Sequence, residues 1–151
     1  GGLLTTCTNM LSRLVAKDKM LVYTKDKKGK KEEFKSDSGK TVDVPMVVLV
    51  NGNTASASEI MTGCLKDYKK ATVVGTTTYG KGIVQTILPL TDGSAFKFTI
   101  AKYYTPKGTD IHEKGIKPDV EVKMSDKQWK KAQTDDKADK QLKKAIEILK
   151  K

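Results

Sequence analysis

Apolar residues Leu3, Cys7, Met10, Leu11, Leu14 and Val15 fall on one face at helical spacing, so the chain opens on an amphipathic helix directly after Gly1-Gly2. A domain that opens on two glycines at a helix start reads as cut from something longer. Leu21 to Thr24 predicts a short strand, Asp26-Lys27-Lys28-Gly29 a turn, and Lys31 to Lys35 a returning hairpin partner. After a loop at Ser36 to Lys40, Pro45 introduces Met46-Val47-Val48-Leu49-Val50, an unbroken apolar run that predicts a strand covered on both faces. Asn51 to Thr54 is a turn, and Ile60, Met61, Cys64, Leu65 and Tyr68 mark the apolar face of a helix. Thr72-Val73-Val74-Gly75 is a second apolar run. Strand, helix and strand within about thirty residues form a βαβ unit and predict parallel pairing.

Thr76 to Gly82 is a loop of small residues, and Ile83 to Leu88 predicts a strand. Asp92-Gly93 turns the chain into a further strand, with Phe96, Phe98 and Ile100 on one face. Thr105-Pro106-Lys107-Gly108 turns again, Gly115 to Pro118 is loop, and Val120 with Val122 predicts a short strand. Ser125 and Gln128 have capping-box spacing. The tail ends in a helix with Leu142, Ala145, Ile146 and Leu149 on its face, Asp135 and Asp136 at its start, and Lys150 and Lys151 at its end. No internal repeat is present.

At 151 residues the chain is one domain's worth, long enough to bury a core without covalent staples. The net charge is +11, and every cation except Arg13 is a lysine. The lysines are dispersed apart from the run Lys25 to Lys35, which itself contains Asp26, Glu32 and Glu33. Nucleic-acid readers set arginine forks and stacking aromatics beside their charge, so this balance describes a solvated surface, and no nucleic-acid partner is expected. No apolar run in these residues is long enough to span a membrane. Cys7 and Cys64 cannot form a disulfide framework or a four-ligand zinc site, and with His112 as the single histidine no metal is expected.

Three segments could carry chemistry. Thr54-Ala55-Ser56-Ala57-Ser58-Glu59 joins a strand to a helix; small residues let a reactive side chain stand clear, and the helix start offers free N–H groups to an oxyanion. This is the logic of a nucleophile elbow without the G-x-S-x-G motif. The alternative is that Ser56 or Ser58 merely caps the helix. A serine needs a base. His112, between Ile111 and Glu113, reads as a surface or hydrogen-bonded structural histidine. A lysine serves as base only where burial favours its neutral form. Lys81 in Tyr79-Gly80-Lys81-Gly82-Ile83-Val84 is the one lysine flanked by glycines and followed by apolar residues; the alternative is an exposed loop lysine. Gly75 to Gly82 contains Gly-x-x-x-x-Gly-Lys, but Gly82 replaces the Ser or Thr that a phosphate-binding loop needs, and Ile83-Val84 continues as strand.

Val48-Leu49-Val50-Asn51, Thr54 to Ile60, Val74-Gly75, Tyr79 to Gln85, Gly1-Gly2-Leu3-Leu4 and Lys114 to Asp119 together resemble the C-terminal processing (tail-specific) serine peptidases, over about Gly1 to Val122. Lys81 follows Ser56 by 25 residues, in agreement with that family's spacing. The resemblance implies an α/β fold: a crotonase/ClpP-like core of β-β-α units with a mixed sheet and a C-terminal helix, occupying 1–124, followed by a helical extension over 125–151. It implies a serine endopeptidase with Ser56 as nucleophile, Lys81 as general base and Gln85 orienting the lysine. The N–H of Ala57 and that of Gly1 or Gly2 would form the oxyanion hole, and His112 has no catalytic counterpart. No cofactor is implied. Protein or peptide substrates with apolar or unstructured C-terminal tails are expected, in a bacterial extracytoplasmic compartment, at the cell envelope or secreted. The family carries an Asp-Leu-Arg strand before the Gly-Gly pair and a PDZ domain further upstream. Where that strand is lacking, an open sheet edge favours a homo-oligomer. The rival reading is non-catalytic: an isolated fragment, or a scaffold that binds peptide by strand addition.

Overall fold

The computed structural model describes residues 1–150. Helix α1 (Leu4–Leu11) leads into the hairpin β1 (Met20–Asp26) and β2 (Lys31–Lys35). Strand β3 (Val47–Val50), helix α2 (Ala57–Asp67) and strand β4 (Thr72–Gly75) follow, then the hairpin β5 (Ile83–Pro89) and β6 (Ala95–Tyr104). The short strand β7 (Val120–Glu121) precedes α3 (Asp126–Ala132), a 3-10 turn at Asp136–Ala138, and α4 (Lys140–Leu149). The strands divide into two sheets. One is antiparallel in the order β2-β1-β6-β5, and the other is parallel in the order β3-β4-β7. The fold is therefore mixed α/β, with β3-α2-β4 as the expected parallel crossover.

Helix α2 joins the two sheets and carries the core. Ile60, Cys64 and Leu65 pack with Cys7 and Leu11 of α1, Leu21 and Val22 of β1, and Ile111 and Ile116 of the loop before β7. Helix α1 is shorter than its apolar pattern: it stops at Leu11, and Val15 reaches the core from the turn that follows. Removing the two thiols of this core from water pushes Cys7 up to about 11 and Cys64 up to about 12. Above about pH 9 the unfolded chain releases these protons while the folded core retains them, so folding stability falls as pH rises. Melting curves between pH 8 and 11 should show a Cys64→Ala variant with the shallower decline, by at most about 1.4 kcal/mol per pH unit. An identical slope in the variant would remove Cys64 as a cause.

Two expectations are corrected. The run Met46–Val50 is not covered on both faces: Val50 is buried, whereas Leu49, on the opposite face of β3, is 40% exposed. The terminal helix forms, but it starts at Lys140 and not at Asp135 and Asp136, which belong to a separate 3-10 turn. Phe96, Phe98 and Ile100 alternate on β6 as expected, and all three are exposed where the β5–β6 hairpin extends past β1. Asp135 caps the 3-10 turn, and Asp139 caps α4 by accepting from the N–H groups of Gln141 and Leu142. Helix α4 packs against β3 and β4, and Gln141 Nε2 donates to the Val122 carbonyl at 2.9 Å. The tail is thus docked on the parallel sheet. The capping pair forms as expected, with Gln128 N–H donating to Ser125 Oγ and Ser125 N–H to Gln128 Oε1.

Candidate active site

The turn between β3 and α2 is built around a serine in a rare conformation. Ser56 has φ 59° and ψ −122°, a left-handed backbone that a non-glycine residue holds at a cost of about 1–3 kcal/mol. It stands at the N-cap of α2, so both alternatives raised for it, capping position and strained elbow, describe the same residue. Ala57 is the first residue of α2 and is buried; its N–H belongs to the group for which helix geometry supplies no acceptor. Ser58 lies inside the helix, where its carbonyl accepts from Thr62 Oγ1. Gly1 packs against this turn. A Cβ on Gly1 would stand 3.0 Å from the Ala55 carbonyl oxygen and 3.5 Å from Ser56 Cβ, whereas one on Gly2 would meet nothing within 4 Å.

Glu59 holds the turn to the loop that carries Lys81. It is a fully buried carboxylate, and its two oxygens accept four hydrogen bonds. Oε2 accepts from the Ser56 N–H at 2.9 Å and the Lys81 N–H at 2.8 Å. Oε1 accepts from the Gly80 N–H at 2.6 Å and from Thr78 Oγ1 at 2.5 Å. The Thr78 hydroxyl accepts in turn from the Ile116 N–H at 2.7 Å, and the Tyr79 N–H donates to the Thr54 carbonyl at 2.9 Å. The backbones of Ser56 and Lys81 are thereby fixed on one carboxylate oxygen. The motif Thr54 to Ile60 by itself assigns Glu59 no role. The available signal was the spacing Ser56-x-x-Glu59, a capping-box pattern.

Lys81 is exposed, not buried as its proposed chemistry suggested. The reason lies in its neighbours. Gly80, at φ +91°, and Gly82 turn their faces onto residues 111–115, where a Cβ on Gly82 would collide with the His112 backbone. The residue between two inward-facing glycines faces out. Gln85 lies on β5, exposed, at the point where the pairing slips: Val84 pairs Ala101 and Gln85 pairs Thr99, leaving Ile100 as the extra residue of a bulge. Among the described residues no hydrogen bond joins the side chains of Ser56, Lys81 and Gln85 to one another. His112 is half-buried. Its Nδ1 is buried without a hydrogen-bond partner, so the expectation of a hydrogen-bonded structural histidine is not met at that nitrogen.

Residues 1–122 match peptidase family S41. The carboxyl-terminal-processing protease of Synechocystis sp. is 44% identical over 124 residues, covering 82% of this chain and 29% of that protein. The carboxy-terminal processing protease CtpA of Bacillus subtilis is 42% identical over 126 residues, covering 83% of this chain and 27% of that protein. Among solved structures, the photosystem II D1 C-terminal processing protease superposes with a TM-score of 0.76 at 41% identity, over 81% of this chain and 32% of its own. The chain thus spans less than a third of the length of these relatives. The family match over residues 1–122, together with relatives more than 40% identical over about four-fifths of its length, places this chain in peptidase family S41.

Proposed function

We propose that the chain is the catalytic region of a serine endopeptidase that processes the C-terminal tails of proteins, with Ser56 and Lys81 as its dyad. Ser56 Oγ attacks the scissile carbonyl while Lys81 Nζ accepts the hydroxyl proton and passes it to the departing amine. Water then hydrolyses the acyl-enzyme with Lys81 again as base. Gln85 orients the lysine, and the N–H groups of Ala57 and of Gly1 or Gly2 stabilise the oxyanion. The observation that carries this reading is the shared carboxylate of Glu59, which registers the Ser56 turn against the Lys81 loop.

The names of the relatives support tail processing. With that reading go a PDZ domain as partner, assembly as a homo-oligomer, and a location outside the cytoplasm at the bacterial cell envelope or secreted. The contrasting reading, a peptide-binding scaffold, has one observation of its own: β5 is an edge of the antiparallel sheet and is open to strand addition. A fluorophosphonate probe separates the two. It should label Ser56 in the wild-type chain and fail on Ser56→Ala, because only an activated serine reacts. An unlabelled wild type that still binds peptide would favour the scaffold.

A further inference from the structure

Helix α4 docks on β3 and β4 through one stripe and leaves a second stripe open. Gln141, Ala145 and Ile148 recur at i, i+4 and i+7 on the docked side, where Gln141 and Ala145 are buried. Leu142, Ile146 and Leu149 repeat that spacing about a quarter turn away. Ile146 is 43% and Leu149 47% exposed, so this second stripe faces solvent. Lys143 and Lys150, about a further quarter turn round, border it. Where the stripe ends, a cleft of about 530 Å³ opens between α4 and the end of α2, and Lys66, Lys69 and Lys70 line it with Met46, Ile148 and Leu149. We propose that this stripe and its lysines bind an anionic lipid bilayer, with Ile146 and Leu149 entering the headgroup boundary and Lys69, Lys143 and Lys150 meeting lipid phosphates.

Exposed apolar side chains and cations occur here together, and an anionic bilayer rewards both. Apolar side chains gain by leaving water at the headgroup boundary, and lysines are drawn to the surface charge. The nearby carboxylates are already engaged: Asp119 pairs with Lys66 at 2.9 Å, Asp43 with Lys70 at 2.8 Å, and Glu147 with Lys144 at 2.9 Å. Among the described residues Lys69, Lys143 and Lys150 form no ion pair, so their charge is left for a partner. A second copy of the chain fits the stripe less well. Antiparallel pairing of two such helices would set the lysine border of one against that of the other. The placement also leaves Ser56 accessible. The cleft lies beside Met46, where β3 begins, whereas the Ser56 turn follows the other end of that strand at Val50. Helix α4 itself lies beyond residue 122, where the family match ends, so the stripe is an addition to the peptidase core.

Co-sedimentation with vesicles tests the surface. The wild-type chain should pellet with vesicles of phosphatidylcholine mixed with phosphatidylglycerol and stay in solution with pure phosphatidylcholine. It should leave the mixed vesicles as sodium chloride is raised. Ile146→Glu/Leu149→Glu changes two exposed residues, so it should keep the wild-type Tm and lose at least about 10-fold in partitioning. Lys69→Gln/Lys143→Gln/Lys150→Gln should weaken binding about fivefold per lysine. Lys27→Gln/Lys28→Gln/Lys30→Gln removes the same charge from the turn between β1 and β2, in the other sheet, and should bind as the wild type does. A wild-type chain indifferent to phosphatidylglycerol overturns the proposal. Equal losses in the two lysine variants, or full binding by the glutamate variant, also overturn it, because net charge alone would then account for the attraction. A lipid-free dimer that the glutamate variant dissociates would give the stripe to a second copy and overturn it as well.

Discussion

Glu59→Ala is expected to be the most damaging single substitution to folding outside the apolar core. It removes the acceptor for the N–H groups of Ser56, Gly80 and Lys81 and for the Thr78 hydroxyl at once. A buried donor left unsatisfied costs about 1–3 kcal/mol; Thr78 Oγ1 and the Gly80 N–H are buried and the Ser56 and Lys81 N–H groups partly so, so the loss amounts to several kcal/mol, a large share of the 5–15 kcal/mol typical of a folded domain. Glu59→Gln keeps the shape and one oxygen. Its amide nitrogen, however, is a donor and must face two of the four donors, so about half the network is lost. The glutamine variant should melt lower and should lose kcat with KM nearly unchanged, since Glu59 has no route to substrate except through the backbones it holds. Its fluorophosphonate labelling should slow in parallel. Thermal melts and steady-state kinetics decide the matter: a glutamine variant with wild-type Tm and kcat would show that the shared carboxylate positions nothing.

Ser56→Ala should abolish turnover, by roughly 10⁶ on the precedent of other serine hydrolases, while Ser58→Ala should remain within about tenfold of wild type. The two serines are separable because their backbones differ. Ser56 alone has positive φ at the helix N-cap, whereas Ser58 is already inside the helix. Ser56→Gly makes the same point through stability. Glycine takes φ 59° without strain, so this variant should be inactive and yet unfold at higher temperature than Ser56→Ala. Lys81→Arg should be inactive as well, because a guanidinium does not give up its proton. The Lys81 N–H to Glu59 bond survives any such side-chain change, so the arginine variant should keep its Tm. An active Ser56→Ala, or a fully active Lys81→Arg, would reassign the nucleophile or the base.

Much of this was legible before folding was considered. The β3-α2-β4 crossover, both hairpins and the Ser125–Gln128 cap follow from periodicity and turn chemistry, which act over a few residues. The strand-to-helix turn at Thr54 to Glu59 and the glycine-flanked Lys81 stood out because small residues at such points are otherwise hard to explain. The start of the terminal helix is ambiguous for a local reason. Asp135, Asp136 and Asp139 are three candidate caps within five positions, and which one starts the helix depends on how α4 meets β3 and β4.

Most of the elements, the parallel crossover and the membership in a peptidase family can be read along the chain, because they rest on local hydrogen bonding, on hydrophobic period, and on motifs whose order and spacing can be compared directly. What each exposed or buried position does follows only from how distant segments meet in the folded chain. Leu49 is exposed because it lies on the face of β3 opposite to the buried Val50, and Phe96 and Phe98 are exposed because their hairpin extends beyond β1. Lys81 faces outward because two glycines beside it take the inward side. Glu59 is the clearest case. A glutamate is ordinarily a surface residue, and nothing within four positions of it accounts for its full burial. Its donors at Thr78, Gly80 and Lys81 lie 19 to 22 residues away and arrive only when the loop folds back over α2. A carboxylate enters a core only where donors meet it, and that meeting is a property of the folded chain.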